Sequence, residues 1–170
     1  MKEIIYNTDN INENEINRIV RRAKVLIVNS KGQILLALSD NNYFLVGGHV
    51  DSDESDFECL KREIKEEMGV DVDIEPMTPF LRIKYLNKDY PKEGVNTMSV
   101  ANYYVLNKDI KPNEDNVDLT KEEAKGNFHI EYFSLEELLP TLMSSVEGST
   151  REGAVLDTIE AVKEYINLMN

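Results

Sequence analysis

The apolar residues occur in short runs separated by turn-forming residues, a pattern that predicts several β-strands. Residues 23–28 form one such run, and a tight turn at residues 29–32 leads into a hairpin partner at residues 33–38. Further strands are predicted at residues 43–46, 80–85, 98–106 and 129–133. Residues 16–20 fit either a short helix or an edge strand, and the pattern leaves both open.

Three later segments carry helix signals. Ser55 and Glu58 fit a capping box and Gly69 fits a left-handed terminator, which predicts a helix over residues 55–68. Ser134 is the predicted cap of a helix that runs through Leu139. The last helix, at about residues 150–169, has an apolar stripe that needs a core to cover it. Strands with helices packed on them predict an α/β sandwich with a mixed sheet.

Composition narrows the function classes. The 170 residues suit one domain, with 41% apolar and 30% charged residues, as in a folded globular protein. A net charge of −13 argues against a nucleic-acid polymer as partner, since such binding needs clustered lysine and arginine. No run approaches the ~20 apolar residues that cross a bilayer, and no signal peptide is evident. We therefore expect a cytoplasmic protein without a membrane partner, and a homodimer is compatible with the sequence.

The helix over residues 55–68 presents chemistry on one side. Its spacing gathers the apolar residues on one arc and the carboxylates of Glu63, Glu66 and Glu67 on another. These like charges repel, and they lie toward the helix end at which the macrodipole prefers cations. A bound cation would relieve both effects, and oxygen ligands favour Mg²⁺ or Mn²⁺.

Two other interpretations compete for these acidic residues. Glu-rich helices are commonly solvated faces paired with nearby lysines, and Lys61 and Lys65 are available here. The acidic run at residues 51–56 also resembles the start of a calcium loop. That interpretation fails because Asp56 stands where the loop needs glycine and Arg62 where it needs a bidentate glutamate.

The same region resembles a known family signature. Its order is Gly48, five residues, Glu54, seven residues, Arg62-Glu63, apolar Ile64, any residue, Glu66-Glu67, any residue, Gly69 and apolar Val70. This order is similar to the complete Nudix box, and chance would produce it at a given start on the order of once in 10⁹. One departure is Val46, where many members have proline before the paired glycines.

The resemblance implies a fold and an activity. It predicts a single Nudix-type α/β/α domain over residues 1–170, with a core at about residues 20–140, an additional amino-terminal segment and an additional carboxyl-terminal helix. The implied activity is metal-dependent cleavage of the diphosphate linkage in a nucleoside diphosphate derivative or a similar small molecule. A Nudix-like module that senses a nucleotide without cleaving it is the alternative, although the intact glutamates argue against it.

The resemblance also implies roles for residues. Glu63, Glu66, Glu67 and the main-chain carbonyl of Gly48 would hold the divalent ions, with Mg²⁺ or Mn²⁺ as cofactor. Arg62 would orient a glutamate of the motif, and Glu54 would brace the preceding loop. Glu63 and Glu67 are also candidate catalytic groups, alongside Arg62.

The proton acceptor is less defined, because family members take it either from the motif or from a later loop. Glu122 and Glu123 are the candidates in that loop, and solvated loop charges are the competing interpretation. His49 and His129 lack metal-ligand spacing, so we interpret both as structural or loop residues. Aromatic residues such as Tyr85 and Tyr103 could stack a base, but aromatic residues in strands more often belong to a core.

Overall fold

Within residues 1–147 and 149–170, which a computed structural model describes with the exception of the Glu122 side chain, eight strands form one mixed sheet. The strands are β1 Lys2–Tyr6, β2 Arg18–Val28, β3 Ile34–Ser39, β4 Asn42–Phe44, β5 Val46–His49, β6 Leu81–Asn87, β7 Thr97–Asn107 and β8 His129–Phe133. The helices are α1 Asp56–Met68, α2 Lys121–Lys125, α3 Leu135–Val146 and α4 Glu152–Met169. None of these four helices combines the length and the apolar composition that crossing a bilayer would need.

Strand β2 organises the sheet because it pairs along both of its edges. It runs parallel to β7 over its whole length, from Arg18 opposite Thr97 to Val28 opposite Asn107. Its other edge is divided, since residues 22–25 pair with β5 and the last two residues pair with β3, both antiparallel. The sheet order is β1-β6-β7-β2-β3-β4, with β8 against β3. Because β5 and β3 share this edge of β2, the paired glycines of β5, Gly47 and Gly48, lie beside the middle of β2.

Side chains alternate along β2 and reach two separate cores. One face contributes Ala23, Val25 and Ile27, which pack with buried residues of α1 that include Leu60, Ile64 and Met68. The other face contributes Leu26 and Val28, which pack with α3 and α4 through Leu138, Leu142, Val155, Ile159 and Val162. Helices therefore cover both faces of the sheet, which confirms the predicted α/β/α sandwich.

Helix α1 begins and ends at the predicted residues. The Ser55 hydroxyl accepts a hydrogen bond from the Glu58 amide at 3.2 Å, and the Glu58 carboxylate accepts one from the Ser55 amide at 2.7 Å. Gly69 ends the helix with φ of 68°, and a side chain there would also collide with the carbonyl of Asn113. Both ends of the helix are thereby fixed, and with them the positions of its carboxylates.

Other boundaries differ from the predictions. Of the two alternatives for residues 16–20, the structure shows the strand, because β2 begins at Arg18. The strand predicted at residues 43–46 is divided at Leu45 into β4 and β5. The predicted end of α3 at Leu139 is wrong: the helix continues through Pro140 to Val146, because its buried Leu138 and Leu142 lie on either side of the proline.

Two elements have no counterpart among the predictions. Strand β1 pairs in parallel with β6, and its Tyr6 ring stacks on Tyr85 with centroids 4.8 Å apart. Most of β1 is exposed, so its sequence lacks the alternation that marks a half-buried strand. The short helix α2 lies in the loop where Glu122 and Glu123 were predicted to be loop residues.

Candidate active site

Two glycines allow strand β5 to pass between β2 and helix α1. A side chain on Gly47, whose φ is 124°, would collide with the main chain of Ala23. A side chain on Gly48 would instead collide with the carboxylate of Glu63. The absence of a Cβ at Gly48 therefore places the Glu63 carboxylate directly against the backbone of β5.

Arg62 connects the preceding loop to the carboxylates of α1. Its guanidinium donates two hydrogen bonds to Glu54, at 2.8 Å and 3.0 Å, and a third at 2.9 Å to the carbonyl of His49. Its Nη1 donates to Glu63 at 2.7 Å and to Glu66 at 3.3 Å. The hydrogen bonds between Arg62 and Glu54 raise the pKa of the arginine and lower the pKa of the glutamate. One side chain thus sets the orientation of three carboxylates.

Glu67 is the buried carboxylate of the group, with 8% of its surface exposed. It accepts a hydrogen bond from the Gly47 amide at 3.3 Å. Burial raises the pKa of Glu67, the nearby charge of Lys24 lowers it, and Glu63 raises it further. Burial is also the main cause that raises the pKa of Glu66. The end of α1 therefore holds acidic groups in surroundings that disfavour their ionisation.

Lys24 is a residue of this site that sequence reasoning missed. It lies in β2 opposite Gly47, and its ammonium donates to the carbonyls of Leu45, at 3.3 Å, and of Gly47. Burial lowers the pKa of Lys24, whereas the charges of Glu67 and Glu63 raise it. The available signal was a lysine inside the apolar run of residues 23–28. A half-buried cation and a buried carboxylate thus both contact Gly47.

The donor set of this site suits a hard divalent cation, because it consists of carboxylate and carbonyl oxygens. In the described part of the chain, however, no group of three or more His, Cys, Asp or Glu side chains is already arranged around a metal position. The hydrogen bonds of Arg62 draw Glu63 and Glu66 to one side, and Glu67 is turned to the Gly47 amide. Ion binding would therefore need rotation of these side chains, with the helix backbone in place.

A cleft of about 860 Å³ opens from the carboxylates across the sheet to α4. Glu63, Glu66 and Glu67 line one end. Arg22 and Lys24 of β2 line its floor, while Arg151 and Asp157 line the far wall. Its volume is in the range of small-molecule sites, which is about 300–1,000 Å³. Arg22 and Lys24 of β2 and Arg151 before α4 therefore bring positive charge to a cleft in a strongly acidic protein.

Helix α2 brings Glu123 to the same cleft. Glu123 lines the cleft together with Thr120, and its negative charge contributes to the raised pKa of Glu67. Its carboxylate accepts hydrogen bonds from the amide and the hydroxyl of Thr120, both at 2.8 Å. The side chain of Glu122 lies outside the described part of the structure. Of the two loop candidates, Glu123 is the one that the structure places near the carboxylates.

The remaining candidate side chains divide between cleft and surface. His49 lines the cleft, and burial together with the charge of Arg22 lowers its pKa. His129 is exposed on β8 and contacts the carbonyl of Asn127. Among the aromatic residues, those that line the cleft are Phe44, Tyr85, Tyr90, Tyr103 and Phe128. Tyr43 instead packs edge-on against Phe133 in the core around α3 and α4.

Comparison with known protein families identifies the family of this chain. The profile of the NUDIX domain matches residues 18–151, which is most of the chain and includes every glutamate described above but not Asp157. The chain belongs to the Nudix family of hydrolases. A search of curated protein sequences finds no match.

Solved structures agree with this Nudix fold. The solution structure of the Escherichia coli ORF135 protein is 18% identical, with a TM-score of 0.55 over 94% of this chain and 96% of the other. A MutT NUDIX hydrolase from Burkholderia pseudomallei is 21% identical, with a TM-score of 0.51 over 71% and 86% of the two chains. The MutT protein from Methanosarcina mazei Go1 is 20% identical, with a TM-score of 0.50 over 87% and 95%. At these identities the likeness concerns the fold alone.

Proposed function

We propose that this Nudix hydrolase cleaves the diphosphate linkage of a nucleoside diphosphate derivative in a reaction that requires Mg²⁺ or Mn²⁺. The observation that carries the proposal is the convergence of Glu63, Glu66 and Glu67 on one end of the cleft, which Arg22 and Lys24 also line. A site with carboxylates alone would repel a diphosphate. A site that bound a diphosphate through lysine and arginine alone would not need three buried or half-buried carboxylates. The two sets together suit a polyanion that is bound with a divalent ion.

The carboxylates of Glu63, Glu66 and Glu67, with the carbonyl of Gly48, would hold the ion. A bound divalent ion supplies positive charge beside the phosphates and makes water easier to deprotonate. Arg62 positions Glu63 and Glu66 through its hydrogen bonds, and Glu54 in turn holds Arg62. Arg22 and Lys24 line the same cleft and would supply positive charge to the phosphates of a bound substrate.

In the reaction, a water oxygen forms a bond to phosphorus as the bond from phosphorus to the bridging oxygen breaks. The bridging oxygen leaves with the second phosphate, and the water proton passes to a carboxylate. Glu123 is our first candidate for that carboxylate, because it lines the cleft near Glu67. It would first have to release Thr120, from which it accepts two hydrogen bonds. Glu63 is the candidate within the motif.

A substrate panel tests this proposal. Oxidised nucleotides, nucleotide sugars, ADP-ribose-like compounds and dinucleoside polyphosphates are incubated with protein and Mg²⁺, and phosphate and nucleotide products are quantified. We expect turnover of at least one class, and loss of that turnover in Glu67→Gln. Tight binding of a nucleotide without any turnover would contradict the proposal and would favour a sensing module.

A further inference from the structure

The wall of the cleft opposite the carboxylates comes from a part of the chain beyond the family match. The match ends at residue 151, and α4 begins at Glu152. Nevertheless α4 contributes Gly153, Ala154, Asp157 and Thr158 to the lining of the cleft. The stripe on its other side, which includes Val155, Ile159 and Val162, is buried in the core. Helix α4 therefore both packs in the core and forms one wall of the cleft.

Asp157 is a fixed hydrogen-bond acceptor in this wall. The Tyr85 hydroxyl donates to its Oδ1, and the Tyr85 ring is itself held by stacking on Tyr6. Among the described residues, none donates to the other carboxylate oxygen, Oδ2, which is not fully buried, and Asp157 is one of the residues that line the cleft. Burial of the Asp157 side chain raises its pKa, and the positive charge of Arg22 lowers it. The cleft thus contains one oriented carboxylate with an acceptor oxygen available to a ligand.

Aromatic side chains line the same cleft as this acceptor. Phe44, Tyr85 and Tyr103 line the cleft between β2 and α4, and the guanidinium of Arg151 lies 5.8 Å from the centroid of the Phe44 ring. Aromatic faces and a stacked guanidinium favour a planar ring over a flexible alkyl chain or a hydroxyl-rich sugar. A carboxylate beside them favours a ring edge that carries N–H groups.

We propose that Asp157, oriented by Tyr85, is a specificity residue that accepts a hydrogen bond from an amino or imino N–H of the substrate's nucleobase. This assignment rests on the proposed function, because it takes the diphosphate to lie at the carboxylate end of the cleft. It makes a base-containing nucleotide the substrate and excludes alkyl and sugar diphosphates that lack a base. The volume of about 860 Å³ accommodates both ends of such a molecule.

Binding without metal tests the subsite separately from catalysis. In excess chelator, the four common nucleoside 5′-monophosphates, ribose 5-phosphate and purine riboside 5′-monophosphate are titrated by calorimetry. The last compound has a purine ring without an N–H donor. We expect the tightest nucleotide to bind at least about tenfold more strongly than either comparison compound, the scale of one hydrogen bond to a charged group. Equal binding of all six compounds would overturn the proposal, even if hydrolysis were established.

Variants then test whether Asp157 causes this binding preference. Asp157→Asn should reduce that preference by at least about fivefold, and Tyr85→Phe, which keeps the ring, should reduce it in the same direction. Glu152→Gln is the matched control, since it makes the same change from carboxylate to amide at an exposed position of α4. Circular dichroism and melting temperature report whether each variant folds. If the preference survives in a folded Asp157→Asn, or in Tyr85→Phe should Asp157→Asn fail to fold, Asp157 is not the residue that reads the base.

Discussion

Arg62 and Glu54 form a two-pronged ion pair, with Nε at 2.8 Å from Oε1 and Nη2 at 3.0 Å from Oε2. The pair ties the loop after β5 to the middle of α1 and leaves Nη1 of Arg62 for Glu63 and Glu66. A fork of this kind requires the planar guanidinium, which lysine cannot replace. The geometry of the carboxylate end of the cleft therefore depends on a residue that need not touch the substrate.

The first prediction concerns this positioning role. Arg62→Lys keeps the charge but loses the fork, so kcat should fall by about 10- to 100-fold, as for loss of the outer support of a metal site. Affinity for Mn²⁺, measured by titration, should weaken in parallel. Lys61→Arg, on the exposed side of the same helix, is the control and should change neither quantity. An unaltered Mn²⁺ affinity in Arg62→Lys would show that Arg62 does not position the ligands.

The second prediction uses the burial of Glu67. Its pKa is raised in the folded protein, so ionisation of this carboxylate costs folding free energy. The cost is absent below the unfolded pKa of about 4.3 and grows as pH rises through the folded value. Without metal, Glu67→Gln should therefore raise Tm near pH 8 by at least about 3 °C and leave it nearly unchanged near pH 4. Thermal melts in chelator across this pH range provide the measurement, and a lower Tm at pH 8 would contradict it.

The third prediction concerns the facing cation. Lys24→Met removes the positive charge that lies near Glu67 and two hydrogen bonds to carbonyls, so Tm near pH 8 should fall by about 4 °C or more. The double variant Lys24→Met/Glu67→Gln should recover part of that loss, because the unpaired buried carboxylate is then absent. Additive effects of the two substitutions would mean that the two charges do not interact.

Site residues that lie close together in the sequence could be predicted as a group, whereas those that lie far apart in the sequence could not. Glu63, Glu66 and Glu67 share one helix, so helical spacing alone placed them together, and the structure agrees. Arg22, Lys24 and Asp157 come from a strand and a distant helix, and only tertiary packing brings them to one cleft. No local periodicity in the sequence predicts that these three residues line the same cleft.

The fold divides in a similar way. The ends of α1 could be predicted because Ser55 and Gly69 act through local hydrogen bonds and backbone conformation. Strand β1 could not be predicted, since its place beside β6 depends on pairing with residues about eighty positions away. The sequence does not predict the role of α4 for the same reason: its apolar stripe predicts burial, but the residues that face its polar side depend on the packing of the whole sheet.

The fourth prediction separates the two candidate proton acceptors. If Glu123 accepts the proton, Glu123→Gln should lower kcat by at least about 10²-fold at saturating metal, whereas Glu122→Gln should change it by less than about threefold. The two variants make the same chemical change in adjacent residues of α2, so each is a control for the other. A normal rate in both variants and in the double variant would transfer the role to the motif, with Glu63 as the first candidate.

The fifth prediction is the requirement for a divalent ion, which is the centre of the proposed mechanism. Initial rates of diphosphate cleavage are measured on the best substrate of the panel, in excess chelator and after Mg²⁺ or Mn²⁺ is restored. We predict no detectable turnover in chelator, full recovery with either ion, and at least about a 10²-fold lower rate for Glu67→Gln with metal present. Full turnover in excess chelator would contradict the account.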